Sequence, residues 1–219
     1  MKTLLLFIFL TLTLVSQGQE ILWDTTFVVE QVNFKVIAGR TDSGGYAQII
    51  KENNDTTTLN GVAGNIEILR FDNDEWPDIT FSYLGNVYVA DLYLYDTRVN
   101  NYKKVDYFTE VSESRKLTSN SNYYFSYQRA GCADMNWVSY LFYIDNYKVT
   151  QIGEIHGKGC DSEDYNREIE ISKIVTLDKV FPIEIMPIDT IETYEDYKWG
   201  FISDYWNKNF EKFKNKNAP

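Results

Sequence analysis

Trp137-Val138-Ser139-Tyr140-Leu141-Phe142-Tyr143-Ile144, then Asp145-Asn146-Tyr147, then Lys148-Val149-Thr150-Gln151-Ile152-Gly153-Glu154-Ile155, decides the fold class. Both runs are rich in aromatic and β-branched residues, which fill a pleated, half-buried surface well. Asp145-Asn146 between them tolerates positive φ, so the stretch reads as a tight β-hairpin. The same texture extends along most of the chain. Thr26 to Ile37, Tyr46 to Lys51, Asn65 to Phe71, Ile79 to Tyr83, Val87 to Tyr95, Tyr102 to Phe108 and Tyr123 to Gln128 read as strands. Thr41-Asp42-Ser43-Gly44-Gly45, Asn53-Asn54-Asp55 and Asn60-Gly61 punctuate them as turns. Glu168 to Leu177 alternates Ile with polar residues, the mark of a half-buried strand. Val180 to Ile188 carries Pro182 and Pro187, which confine it to a sheet edge or an extended segment.

The C-terminus changes period. Between Glu192 and Lys214 the apolar residues fall at Tyr194, Tyr197, Phe201, Ile202, Tyr205, Trp206, Phe210 and Phe213, one face of a helix with Gly200 as its weak point. The expected architecture is therefore mainly β: an antiparallel β-sandwich or a short propeller-like meander, with a C-terminal helix packed against it. Residues 19–190 form the β domain and 191–219 the helix.

The N-terminus reads as an export signal. Met1-Lys2-Thr3 precedes an apolar run from Leu4 to Val15, and Ser16-Gln17-Gly18 supplies the small residues of a cleavage site. Cleavage after Gly18 leaves Gln19 as the new terminus. The apolar run is short for a bilayer span, so a soluble periplasmic or extracellular protein is expected. Removing residues 1–18 removes Lys2 and no acid, which takes the net charge of -11 to about -12. That balance argues against nucleic acid, which rewards Lys and Arg, and against anionic membrane surfaces. It suits basic proteins or divalent cations, or serves solubility alone.

Cys132 and Cys160 are the only cysteines. An oxidising compartment permits them to pair, and a closed loop of about 29 residues is worth roughly 3.5 kcal/mol in the chain-entropy model. Two buried thiols are the alternative. Pairing brings together Arg129-Ala130-Gly131-Cys132-Ala133-Asp134-Met135-Asn136-Trp137 and Gly157-Lys158-Gly159-Cys160-Asp161. Arg129, Asp134, Trp137, His156 and Lys158 then form a candidate partner-binding edge, or the bond merely holds two strand ends. His156 is the only histidine, so a Ser-His-Asp triad must use it, and no Gly-x-Ser-x-Gly elbow occurs. A Cys-His dyad needs a free thiol. Asp134 and Asp161 are the forced choice for a glycosidase pair. The expectation is a protein that is not an enzyme.

Phe71-Asp72-Asn73-Asp74-Glu75-Trp76-Pro77-Asp78-Ile79 carries the remaining chemistry. Asp72, Asp74 and Asp78 can converge on a hard cation, since calcium accepts carboxylates, carbonyls and water. The stretch resembles the calcium loops of FG-GAP and integrin-like propeller repeats. Glu75-Trp76-Pro77-Asp78, Leu92-Tyr93-Leu94-Tyr95-Asp96 and Tyr102-Lys103-Lys104-Val105 resemble a secreted bacterial β family of calcium-binding periplasmic lysozyme inhibitors and immunity proteins. The resemblance spans Asn65 to Ile155. It implies a non-catalytic binding protein outside the cytoplasm that blocks a cell-wall hydrolase, with calcium in the acidic loop. Two positions depart from the pattern: Glu75 replaces the loop glycine, and Arg70 stands at the first ligand position. Arg70 could pair with the carboxylates and leave a calcium-free acidic hairpin. Carbohydrate binding or surface adhesion, drawing on 17 Tyr and 5 Trp, is a second reading. A calcium-stabilised structural domain of an envelope assembly is a third.

Overall fold

The computed structural model describes residues 20–215 except 43, 54, 61–62, 84, 161–165 and 177. The expected export signal and Asp161 lie outside the described residues. Trp137–Ile155 forms its hairpin. Strand β12 (Asn136–Asp145) pairs with β13 (Lys148–Lys158) from Asn136 opposite Lys158 to Asp145 opposite Lys148. The turn sits one residue later than expected, on Asn146 and Tyr147, whose φ values of 48° and 61° are both left-handed. Mirror-image hairpin turns need that sign because it matches the strand twist.

All pairing between named strands is antiparallel, and the strands form three sheets in chain order. The first contains β1 (Glu20–Val29), β2 (Val32–Thr41), β3 (Gly44–Lys51) and β4 (Thr56–Asn60). The second contains β5 (Ala63–Leu69), β6 (Asp78–Tyr83), β7 (Val89–Asp96) and β8 (Asn101–Lys104). The third contains β9 (Ser114–Lys116), β10 (Tyr124–Ser126), β11 (Gln128–Arg129), β12, β13, β14 (Glu168–Thr176) and β15 (Lys179–Pro187). These antiparallel meanders match the expected mainly β architecture, and the sheets do not close into a barrel. The Thr26–Ile37 run is a correction: it is a hairpin, broken at Glu30 and Gln31 with φ of 48° and 67°. Tyr102–Phe108 is also shorter than expected as a strand, since β8 stops at Lys104 and Phe108–Glu110 is a 3-10 helix.

The sheets stack as layers. Phe34, Val36, Ala38 and Ile49 of the first sheet meet Ile79, Phe81, Tyr93, Tyr95 and Tyr102 of the second. Phe34 packs edge-on to both Tyr95 and Tyr102. The opposite face of the second sheet presents Ala90, Leu92 and Leu94 to Tyr124, Phe142 and Val149 of the third. Helix α1 (Tyr197–Asn209) covers the far face of the third sheet. It starts later than the spacing from Glu192 suggests, because Ile188–Thr193 is a 3-10 helix. Phe201, Ile202, Trp206, Phe210 and Phe213 bury against Leu141, Ile152, Ile155, Ile169 and Ile171. The Trp206 indole N–H donates to Ser139 Oγ at 2.9 Å, so the buried ring is satisfied. Among the described residues no helix is long and apolar enough to cross a membrane.

Two glycines on β13 make room for this layer. A Cβ at Gly153 would stand 2.7 Å from Phe213 Cδ1, and one at Gly157 only 2.0 Å from Trp137 Cε2. Overpacking a rigid core costs about 1–3 kcal/mol. Gly157→Ala is therefore expected to lower unfolding free energy by about that amount. Urea denaturation of wild type and variant checks this; an unchanged midpoint would show that the indole moves freely.

Candidate functional site

The loop after β11 departs most from ordinary backbone. Gly131 has φ 103°, and Cys132, Ala133 and Asp134 follow at 54°, 49° and 72°. A left-handed residue other than glycine costs roughly 1–2 kcal/mol; the hairpin turns hold two in succession, and this loop holds three. The surroundings hold them. Cys132 is bonded to Cys160. Asn136 Oδ1 accepts the backbone N–H of Gly159 at 3.0 Å and of Cys160 at 3.1 Å, fastening the two loops a second time. Ala130 N–H donates to the Asn136 carbonyl at 2.8 Å.

Asp134 ties the loop to the helix. Its carboxylate accepts the Tyr127 hydroxyl at 2.5 Å and lies 3.2 Å from Lys198 Nζ and 3.8 Å from Arg129 Nε. Lys198, near the start of α1, also donates to the Asp134 carbonyl. Burial and this hydrogen bond push the Tyr127 phenol above its usual range, so it stays a donor. The outer surface of the loop is exposed from Arg129 to Ala133 and again at Met135, which is 49% accessible.

The five residues expected to form one edge separate into three settings. Arg129 and Asp134 belong to the stapled loop. His156 and Lys158 project from the face of β13 opposite the helix, as strand alternation requires once Ile155 and Gly157 face inward. There His156 Nε2 lies 3.3 Å from Glu154, and Lys158 Nζ lies 2.5 Å from Glu170. Trp137 is the correction. It is only 1% exposed and packs beneath the loop against Gly157, Tyr127 and Phe201, so it supports the edge and cannot touch a partner. Sequence reasoning missed Met135, Tyr127 and Lys198. Met135 was within the quoted loop; Lys198 reaches it from 64 residues away.

Both cysteines are bonded, which removes the Cys-His dyad. Asp134 is committed to its cations and to Tyr127, which leaves it poorly suited to general acid–base work.

The acidic loop is the other candidate. Asp72 Oδ1 accepts Asp74 N–H at 2.9 Å, and Asp74 Oδ1 accepts Trp76 N–H at 2.8 Å. These bonds turn the loop without the missing glycine. Asp78 is 0% exposed, and its Oδ2 accepts the N–H groups of Phe71 at 2.7 Å and Asp72 at 3.3 Å. Its Oδ1 is buried without a hydrogen-bond partner. Arg70 is exposed, and Lys116 is a cation that does reach the loop, donating to the Asp72 carbonyl and to Asn73 Oδ1. Among the described residues no group of three or more His, Cys, Asp or Glu is arranged to hold a metal ion.

No protein-family model matches the chain, and no curated protein matches it. A solved structure described as a Xanthomonas type IV secretion system related protein is similar to it at 10% identity, with a TM-score of 0.48. The match covers 74% of this chain and 93% of that one. That likeness assigns neither a family nor an activity.

Burial, then the neighbouring Asp72 carboxylate, pushes the Asp78 carboxyl from 3.8 up to about 7. The folded protein therefore keeps this proton to higher pH than the unfolded chain does. Its contribution to stability is full below pH 3.8 and is lost as pH rises through about 7. Asp78→Asn keeps an acceptor for the two N–H groups and removes the titration. Unfolding free energies at pH 4 to 8 are expected to converge at low pH and to favour the variant near pH 8. Parallel curves would refute the assignment.

Proposed function

We propose that this chain is an exported, non-catalytic binding protein that presents the Cys132–Cys160 loop to a protein partner outside the cytoplasm. The observation that carries this reading is the run of left-handed residues from Cys132 to Asp134, exposed yet fastened by a disulfide, by Asn136 and by Lys198. Strained backbone persists only where its surroundings over-determine it, and it concentrates at clamps and binding sites. A loop ordered in advance loses less entropy on binding. Met135 gives its surface a soft apolar contact that adapts to a pocket.

The partner class comes from the resemblance in the acidic and Tyr-rich segments: a cell-wall hydrolase, blocked sterically by a loop that enters its cleft. The acidic balance, -11 for the whole chain and about -12 without residues 1–18, favours a basic enzyme of this kind, because complementary charge speeds encounter. The bond between Cys132 and Cys160 accords with an oxidising compartment. The test uses residues 19–219 to capture proteins from envelope and secreted extracts, followed by inhibition assays with each purified wall-degrading enzyme recovered. Met135→Glu is expected to weaken capture and inhibition at least tenfold without changing the melting temperature. No inhibition across several lysozyme types, with the folded state verified, counts against the hydrolase partner.

A second reading has its own observation. The buried, unpartnered Asp78 Oδ1 beside Asp72 and Asp74 is costly as an anion, and bound calcium would offset that cost. Asp72 and Asp74 would have to turn toward Asp78 to complete the site. A calcium-stabilised envelope domain is expected to melt several degrees higher in calcium than in chelator at pH 8, and Asp78→Asn to abolish the difference. Equal melting temperatures for the wild type would remove calcium from the account.

A further inference from the structure

A cleft apart from the stapled loop and the acidic loop carries chemistry of its own. A cleft of about 270 Å³ lies at the opposite end of β13, between the 3-10 helix at Phe108–Glu110 and strands β13 and β14. Its floor is apolar, formed by the buried Val149 and Ile174. Tyr107 stands at its wall and is 55% exposed. Glu110, Lys148, Thr150, Gln151, Thr176 and Asn215 make up the polar part of the lining.

Tyr107 is held in an uncommon state for its type. Its φ is 64°, in the left-handed region that bulky residues rarely occupy. The neighbouring backbone fixes it there. Asp106 N–H donates to the Tyr147 carbonyl at 2.8 Å, and Val149 N–H donates to the Asp106 carbonyl at 3.0 Å. The residue before Tyr107 is thus bonded on both sides to the hairpin that forms the cleft floor. Lys148 Nζ lies 5.3 Å from the centre of the Tyr107 ring. Gln151 Nε2 donates to Glu110 Oε2 at 3.4 Å, a long bond that a ligand hydroxyl can readily replace.

The geometry points to a binding site for a neutral sugar ring in this cleft. A pyranose has an apolar C–H face and a rim of hydroxyls that both donate and accept. The Tyr107 ring and the Val149–Ile174 floor suit the first, since Tyr combines an apolar body with a polar tip. Glu110 supplies acceptors, Lys148 donors and Gln151 both, which suits the second. The opposite charges of Glu110 and Lys148 cancel, so the cleft selects no net charge. Its volume falls just under the range of about 300–1,000 Å³ typical of drug-sized sites, which suits one or two rings. The site is separate from the stapled loop and does not depend on the protein-partner reading.

The test is titration of residues 19–219, by calorimetry and by NMR, with neutral monosaccharides and β- and α-linked disaccharides, with uronic acids as anionic controls. Binding of a neutral sugar is expected. Tyr107→Asn removes the ring but keeps a residue that tolerates left-handed φ, and is expected to lower affinity at least tenfold. Gln151→Ala, a smaller change on the strand, is expected to lower it several-fold and decides the matter if the first variant does not fold. The proposal is overturned if no neutral sugar binds, if uronic acids bind better, or if a bound sugar is indifferent to the folded variants.

Discussion

The central strands of the second sheet, β6 and β7, have no face to give to water, and this constraint orders the rest of the molecule. Along β7, Ala90, Leu92 and Leu94 point into the core shared with the third sheet, while Tyr93 and Tyr95 point into the core shared with the first. A strand buried on both sides reads as a near-continuous apolar run, and Val89–Asp96 is such a run. The acids within it are consequently paired. Asp91 accepts the Tyr83 hydroxyl at 2.6 Å and lies 2.8 Å from Lys104 Nζ, while Asp96 binds Arg98. A buried carboxylate without such partners costs several kcal/mol (about 2–7 for a neutral polar group, more for a charge). That sets Asp78 apart from Asp91, whose Oδ1 faces the Lys104 ammonium.

The third sheet extends the same logic outward. One face meets the second sheet through Tyr124 and Phe142, and the other receives the helix on Leu141, Ile152 and Ile155. The helix is held to the sheet by shape and by a few polar bonds at its margins. Gly153 accommodates Phe213 and Trp206, Ser139 accepts the Trp206 indole, and Lys198 anchors the Asp134 loop. The stapled loop is therefore tied both to a strand end and to the helix layer. β15 borders the sheet with Val180, Phe181, Ile183 and Ile185 exposed, and its two prolines cannot donate to a further strand. Edge protection of this kind discourages association through the backbone.

Local chemistry made the strands legible wherever one face had a consistent fate. Glu168–Thr176 alternates because Ile169 and Ile171 pack on the helix side while the residues between them do not. The β12–β13 hairpin is announced by its turn residues. Glu30-Gln31 shows the opposite case: neither residue favours positive φ, so the turn is imposed by pairing of Val29 with Val32 and by the core beneath. β4 and β9 also escape the sequence reading, since they are short and gain order mainly from neighbouring strands. At the candidate sites, the disulfide and the acidic loop could be expected from residue types alone. The burial of Trp137 could not, because it depends on a glycine 20 positions away that removes a Cβ from its path. Nor could the reach of Lys198 to Asp134, which needs the helix to dock first.

These dependencies bear on how the loop can serve a partner. A flexible loop can present the same side chains, but it must be ordered at the moment of contact, at about 0.5–1.5 kcal/mol for each immobilised side chain. In this chain that ordering is completed on folding, and the left-handed run from Cys132 to Asp134 is its visible cost. Such a cost is unnecessary for joining β11 to β12, because antiparallel neighbours need only a two-residue turn. The extra residues project Met135 and the exposed backbone away from the sheet end, while Asn136 and Asp134 hold their base. A staple that merely secured two strand ends would not require the backbone between its anchors to be strained and outward-facing. On the proposed reading, the combination fits a surface whose shape is fixed before a partner meets it.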